Sequence, residues 1–236
     1  MALILNIETS TDICSVSIAR NGKVLGLNES RDKKSHAALL AVFIKELTSE
    51  LKLGLPELEA VAVSKGPGSY TGLRIGVSTA KGIAYGAGIK LIGIPTLTAM
   101  AFSVLRKFSD EGSKKNLLLC PMIDARRMEV FTALYTASLE PYKEISAEII
   151  HPGIFSDYLD KNEIWFFGNG SEKCRGIIQH PNARFIEAIE PSASWMAELS
   201  EKAFQEGQFE DVAYFEPFYL KDFIATIPRK NIFPSA

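Results

Sequence analysis

The sequence predicts an α/β protein of two lobes, each a mixed sheet flanked by helices, with one unit built twice. Three observations carry that prediction. The element order read from hydrophobic patterning is three strands, helix, strand, glycine loop, helix, and it recurs in the second half without residue-level repetition. Each half also places a glycine-rich loop directly after an apolar run, at Gly66 to Gly68 and at Gly168 to Gly170. Finally, 236 residues with 47% hydrophobic content are enough for two modest lobes around real cores.

Charge and cysteine usage narrow the functional classes. A formal net charge of −2 leaves no basic footprint, so nucleic acid would not be gripped mainly by this chain. Cys14, Cys120 and Cys174 are widely spaced and odd in number, which argues against a disulfide framework and against a zinc knuckle and fits a reducing compartment. The opening residues lack a basic, then apolar, leader pattern, and the apolar runs are far short of a membrane span. The expectation is a soluble, cytoplasmic protein.

Leu3 to Ile7 is almost wholly apolar, the pattern of a strand covered on both faces, and Glu8 to Asp12 supplies a polar turn. Cys14, Val16 and Ile18 then alternate with small residues, Asn21-Gly22 turns the chain, and Lys23 to Leu27 returns as a third strand. Lys34 to Leu51 reads as a helix capped by Ser35. Leu40, Ile44, Leu47 and Leu51 face the sheet, and Leu39, Val42 and Phe43 spread to a second side. A helix apolar on two sides packs against either a neighbouring helix or another protein. His36, with no second histidine at ligand spacing, is expected at the surface or in a cap.

An apolar run from Leu58 to Val63 leads into S-K-G-P-G-S-Y-T-G-L-R-I-G, Ser64 to Gly76, and on to a helix ending near Gly86. Gly72, Gly76, Gly82 and Gly86 each cost about 1 kcal/mol relative to alanine inside a helix. Gly72, Gly76, Ala80 and Ala84 recur every four residues and leave one side nearly bare, so another backbone can approach, from this chain or from a partner. Gly66, Gly68 and the amides from Ser69 to Gly72 either cradle a phosphate or turn a corner. The spacing fits neither a Walker loop nor a serine-hydrolase elbow.

Leu91 to Ile94 is a fifth strand and Pro95 to Lys107 a third helix. The polar stretch Ser109 to Asn116 divides lobes at 1–108 and 109–236. In the second half, strands are expected at Leu117 to Ile123, Met128 to Tyr135, Lys143 to Ile150 and Ile164 to Phe167. A short helix is expected at Ile154 to Leu159 and helical stretches at Ser171 to Ile178 and Ser192 to Glu206. Tyr214, Phe215, Phe218, Tyr219 and Phe223, within Ala213 to Ile227, are expected to dock the tail onto the body.

A duplicated unit with a polar turn after its first strand resembles the actin/hexokinase-like (ribonuclease H-like) superfamily. I-E-T-S-T-D at Ile7 to Asp12 and the Ser64 to Gly76 stretch resemble the signatures of the TsaB (YeaZ-like) family, dimerisation subunits of the bacterial tRNA threonylcarbamoyladenosine machinery. Secondary matches are M-I-D-A-R-R-M-E-V at Met122 to Val130, F-G-N-G at Phe167 to Gly170 and P-S-A-S-W-M-A at Pro191 to Ala197, so the resemblance spans nearly the whole chain.

That resemblance implies a noncatalytic scaffold that binds the catalytic relative TsaD and supports threonylcarbamoyl transfer to adenosine beside the tRNA anticodon. It implies a heterodimer with TsaD, a larger complex with the ATPase TsaE, a homodimer in isolation, and at most indirect or minor tRNA contact. The docking face would use Leu39, Val42, Phe43, Leu47, Gly72, Arg74, Gly76, Ala80 and Ala84. TsaD's metal-holding His-x-x-x-His pair falls here on Thr98 and Phe102, which cannot replace two imidazoles, so no metal is expected. Phosphoryl-transfer members read Asp-x-Gly-Thr where this chain has Glu8-Thr9-Ser10. No cofactor is therefore expected, leaving weak ATP or ADP binding at Thr9, Ser10, Gly66, Gly68 and Ser69 as the residual site. The alternatives are an ATP-binding phosphotransferase or ATPase of the same fold and, last, a metallopeptidase, for which no H-E-x-x-H spacing occurs.

Overall fold

Alternation along the first strand decides the layering. In a strand, successive side chains leave on opposite faces. Leu3, Leu5 and Ile7 of β1 (Leu3–Glu8) enter one buried cluster and Ile4 enters another, so β1 is covered on both sides. The computed structural model describes residues 2–32, 36–108 and 116–221.

β2 (Cys14–Arg20) runs antiparallel to β1 and turns through Asn21-Gly22 into β3 (Lys23–Ser30). α1 (His36–Glu50) follows, then β4 (Ala60–Gly66) parallel to β1, α2 (Tyr70–Ala87), β5 (Lys90–Pro95) and α3 (Thr96–Lys107). The sheet order is β3-β2-β1-β4-β5. The second lobe repeats it. β6 (Leu117–Asp124), β7 (Glu129–Thr136), β8 (Pro141–Ile149), a one-turn α4 (Ser156–Leu159), β9 (Glu163–Phe167) and β10 (Ala183–Ile186) give the order β8-β7-β6-β9-β10. In each lobe the first three strands are antiparallel and the last two join in parallel.

Helices alternate with sheets. α1 and α2 cover the Leu3, Leu5, Ile7 face of the first sheet. α3 and α5 (Ala193–Gln205) cover the opposite face, Ala99, Met196 and Ala203 packing on Ile4, Ala62, Ile92 and Ile94. α3 also presents Leu97, Met100 and Val104 to Leu117, Leu119 and Trp165 of the second sheet, so it belongs to both cores. Phe155 and Leu159, at α4, close the far face of that sheet on Cys120, Met122 and Phe166.

Three expectations are corrected. Ser171 to Ile178 is not a helix but a single three-ten turn, Glu172–Cys174, because Gly176 interrupts it and Pro181 follows too soon for a second start. β10, four residues long, was not anticipated, and it supplies the fifth strand that the repeat requires. His36 is neither at the surface nor a cap: it is buried, with Nε2 3.1 Å from the Ile13 carbonyl oxygen. Lys34, Ser35, the stretch 109–115 beside the lobe boundary, and Phe223 and Ile227 lie outside the described residues. α5 falls on the second-lobe side of that boundary yet packs on the first sheet.

Candidate functional site

Two regions gather the residues singled out in the sequence: a cleft between the lobes and the outer face of α1 and α2. The cleft, about 480 Å³, lies where the carboxyl ends of the parallel strands meet, the usual ligand position in such sheets. Ser10, Asp12, Gly68 and Ser69 line it from the first lobe, and Asp124, Arg126 and Asn169 from the second. The same geometry occurs twice. Gly68 packs on the Ser10 carbonyl, and Gly170 packs on the Ile123 carbonyl at the end of the equivalent strand.

The loops nearest the first lobe bond to each other. The Ser69 N–H donates to the Ser10 carbonyl oxygen at 2.6 Å, and the Ser10 N–H donates to Glu8 Oε1 at 2.6 Å. Thr9 Oγ1 donates to the Gly72 carbonyl oxygen at 2.8 Å, inside the start of α2, whose cap is Ser69. The backbone donors that a nucleotide phosphate would need from Ser10 and Ser69 are thus already spent, and Thr9 and Ser10 are fully buried. Of the residual nucleotide residues, Gly68 and Ser69 face the cleft beside Ser10, whereas Gly66 is covered by the Phe218 carbonyl of the tail. The set fits a locked corner better than a phosphate cradle.

Glu8 is the corner's centre. Its Oε1 accepts from Ser10 N–H and, at 3.0 Å, from Ser64 Oγ, while its Oε2 has no partner. Burial raises its pKa above the ordinary carboxylate range, and hydrogen bonds from Ser10 and Ser64 oppose that shift without cancelling it. Glu8 is a structural acid here, holding its proton more tightly than an exposed carboxyl does and walled off from the cleft.

The small-residue seam resolves in favour of this chain. A Cβ at Gly72 would stand 2.1 Å from the Thr9 carbonyl oxygen, and one at Gly76 would stand 2.2 Å from Thr9 Oγ1. Gly72, Gly76, Ala80 and Ala84 are buried, as is Leu47, so these five expected docking residues are core and are corrected accordingly. Leu39 and Phe43 are half-buried against the same core. Only Val42, 43% exposed, and Arg74, which lies over the Tyr70 ring, remain on the open face.

Other residues complete that face. Ala37, Ala38 and Ala41 of α1 are exposed, and Tyr85 of α2 is 85% exposed. Gly82 and Gly86 meet nothing within 4 Å where a Cβ would be. Arg74, Ser78, Gly82 and Gly86 form a second four-residue stripe, turned away from the buried one. The four-residue spacing of Arg74, Ser78, Gly82 and Gly86 is the sequence signal that separates this stripe from the buried one.

The family model described as "TsaD: tRNA N6-adenosine threonylcarbamoyltransferase" matches residues 23–229. The chain belongs to the TsaD family. Within it the chain is TsaB-like. It is 29% identical over 232 residues to the tRNA threonylcarbamoyladenosine biosynthesis protein TsaB of Escherichia coli K12, covering 94% of this chain and 96% of that one. It is also 27% identical over 119 residues to the tRNA N6-adenosine threonylcarbamoyltransferase of Geotalea daltonii, covering 44% of this chain and 35% of that one. In fold it is similar to YeaZ from Pseudomonas aeruginosa, with a TM-score of 0.77, 22% identity, and coverage of 93% of this chain and all of that one.

For this TsaD-family chain the donor set at the expected metal positions is wrong for a transition metal. Thr98 Oγ1 donates to Tyr135 Oη at 3.2 Å, and Phe102 lies under the Arg106 guanidinium. Among the described residues no three His, Cys, Asp or Glu side chains converge. No helix among them is long and apolar enough to cross a membrane.

Proposed function

We propose that this chain is a noncatalytic subunit of a machinery that forms threonylcarbamoyladenosine in tRNA, and that it docks the catalytic TsaD-type relative through the outer faces of α1 and α2. The observation that carries the reading is the pair Gly82 and Gly86. Each costs a helix about 1 kcal/mol, and neither makes room for anything within its own chain. Tyr85 of α2 and Val42, Ala37, Ala38 and Ala41 of α1 are also exposed, on two helices in contact with each other, and together offer small and apolar side chains suited to close helix-to-helix approach.

The same face self-associates when the partner is absent, giving a homodimer. A larger assembly with the ATPase TsaE, cytoplasmic work and only indirect or minor tRNA contact belong to this reading. With the Ser10, Ser69 and Gly72 amides bonded within it, the chain works without a resident cofactor and holds ATP or ADP weakly at most.

The test is co-purification with the TsaD-type protein of the same organism, followed by a tRNA modification assay with and without this chain. Capture of the partner and loss of modification without this chain are expected. Val42→Glu with Gly82→Glu, both at exposed positions, should abolish capture and convert the isolated protein from dimer to monomer in light scattering. Unchanged capture and mass in that double variant would overturn the assignment of the face.

A further inference from the structure

After α5 the chain returns along the first lobe and ends its described course across the cleft. The Glu210 N–H donates to the Leu91 carbonyl oxygen at the β5 edge, 2.9 Å, and Lys81 Nζ of α2 donates to the carbonyls of Ala213 (3.2 Å) and Phe215 (2.9 Å). Phe215 is buried in the α1–α2 core, so the segment is anchored as far as this residue. Beyond it the contacts change character. The Phe218 N–H donates to the Lys65 carbonyl oxygen at 2.7 Å, the Tyr219 ring lies on Tyr70 with centroids 4.9 Å apart, and Lys221 Nζ pairs with the Glu129 carboxylate. Lys65 and Tyr70 belong to the first lobe, whereas Glu129 opens β7 of the second. Phe218 to Lys221 therefore form one wall of the cleft.

We propose that Glu216 to Lys221 is a strap tying the two rims of the interlobe cleft together, with Tyr219 on Tyr70 as its seat and Lys221 on Glu129 as its latch. Its anchor on the second lobe is firm. Lys173 Nζ donates to the carbonyl oxygens of Arg127 and Glu129 and to Asp124 Oδ1, fixing the turn from which Glu129 projects. The latch itself is weak. Lys221 is 46% exposed and Glu129 19%, and an ion pair so placed is held only modestly. A strap fixed up to Phe215 and lightly held after it is releasable. Anything stacking on the Tyr70 ring from the cleft must first displace Tyr219. None of this depends on the docking of a partner to α1 and α2.

Amide hydrogen exchange on the full chain tests it, in wild type, Lys221→Glu, Tyr219→Ala and the charge swap Lys221→Glu with Glu129→Lys. Exchange in the loops 66–71 and 124–129 should rise about 2- to 5-fold on losing the ion pair and about 2- to 10-fold on losing the ring contact. β1 and β4 should keep their wild-type rates, and the charge swap should bring both loops back to within about twofold of wild type. Wild-type rates in both loops of the two single variants, or a charge swap as fast as Lys221→Glu alone, would overturn the strap.

Discussion

Glu8 is a carboxyl group placed where its charge has no outlet. Because burial raises its native pKa above the ordinary 4.5, the native state holds this proton more tightly than the unfolded chain does. Its contribution to stability is therefore fully present below about pH 4.5 and is lost as pH rises through the elevated native value. Glu8→Gln keeps an oxygen for the Ser10 and Ser64 donors and removes the titration. The variant should match wild type near pH 4 and exceed it near pH 8 by on the order of 1 kcal/mol; parallel stability-versus-pH curves from urea melts would refute this. The sequence offered Glu8 only as part of a polar turn. Its burial follows from α2 closing over the turn, and that depends on side chains missing sixty residues further on.

At the scale of the element, α2 carries two bare stripes with opposite meanings. Gly72→Ala drives a methyl group into a backbone carbonyl and should cost about 2–3 kcal/mol, as overpacking does. Gly82→Ala meets open space within its own chain and should stabilise it by about 0.5–1 kcal/mol once dilution has dissociated the homodimer. Thermal or chemical denaturation of the monomeric chain measures both, and equal effects would mean that the two faces are misassigned. Helix periodicity made α2, its Ser69 cap and its glycine cost legible in the sequence, but not which stripe was covered, because spacing fixes relative angle and not what lies opposite. Most of the long strands were legible for a similar reason: β1, β4 and β6 are buried on both faces and read as mainly apolar runs. β10 was not, since three half-buried residues and one buried one carry neither alternation nor length. The Ser171 to Ile178 error has the same root, eight residues being too few for periodicity to outweigh one glycine.

For the whole molecule, duplication of strand order conceals an exchange of helices. α5 closes the first sheet from beyond the second, so a fragment of residues 1–108 leaves the Ile4, Ile92 and Ile94 face without its α5 cover. Burying such a side chain contributes about 1.5–3 kcal/mol, and three of them rival the net stability of a small domain, about 5 kcal/mol at the low end. The fragment is expected to be unfolded or aggregated by circular dichroism, and the full chain to melt in one calorimetric transition. A folded, soluble 1–108 fragment would contradict this. The duplicated order was readable from the sequence, but the crossing of α5 was not, because a helix pattern says that one face is covered without saying by which sheet.

α3 has one flank in each core, which makes it a common wall rather than a hinge pin. Rotation of either half about the cleft has to shear that wall against side chains such as Leu97 and Met100 on one side and Ala99 on the other. Close-packed layers resist sliding by more than a small fraction of a side-chain width. The molecule is therefore stiff in bulk and yields mainly at its rim, and large jaw-like excursions are mechanically closed to it.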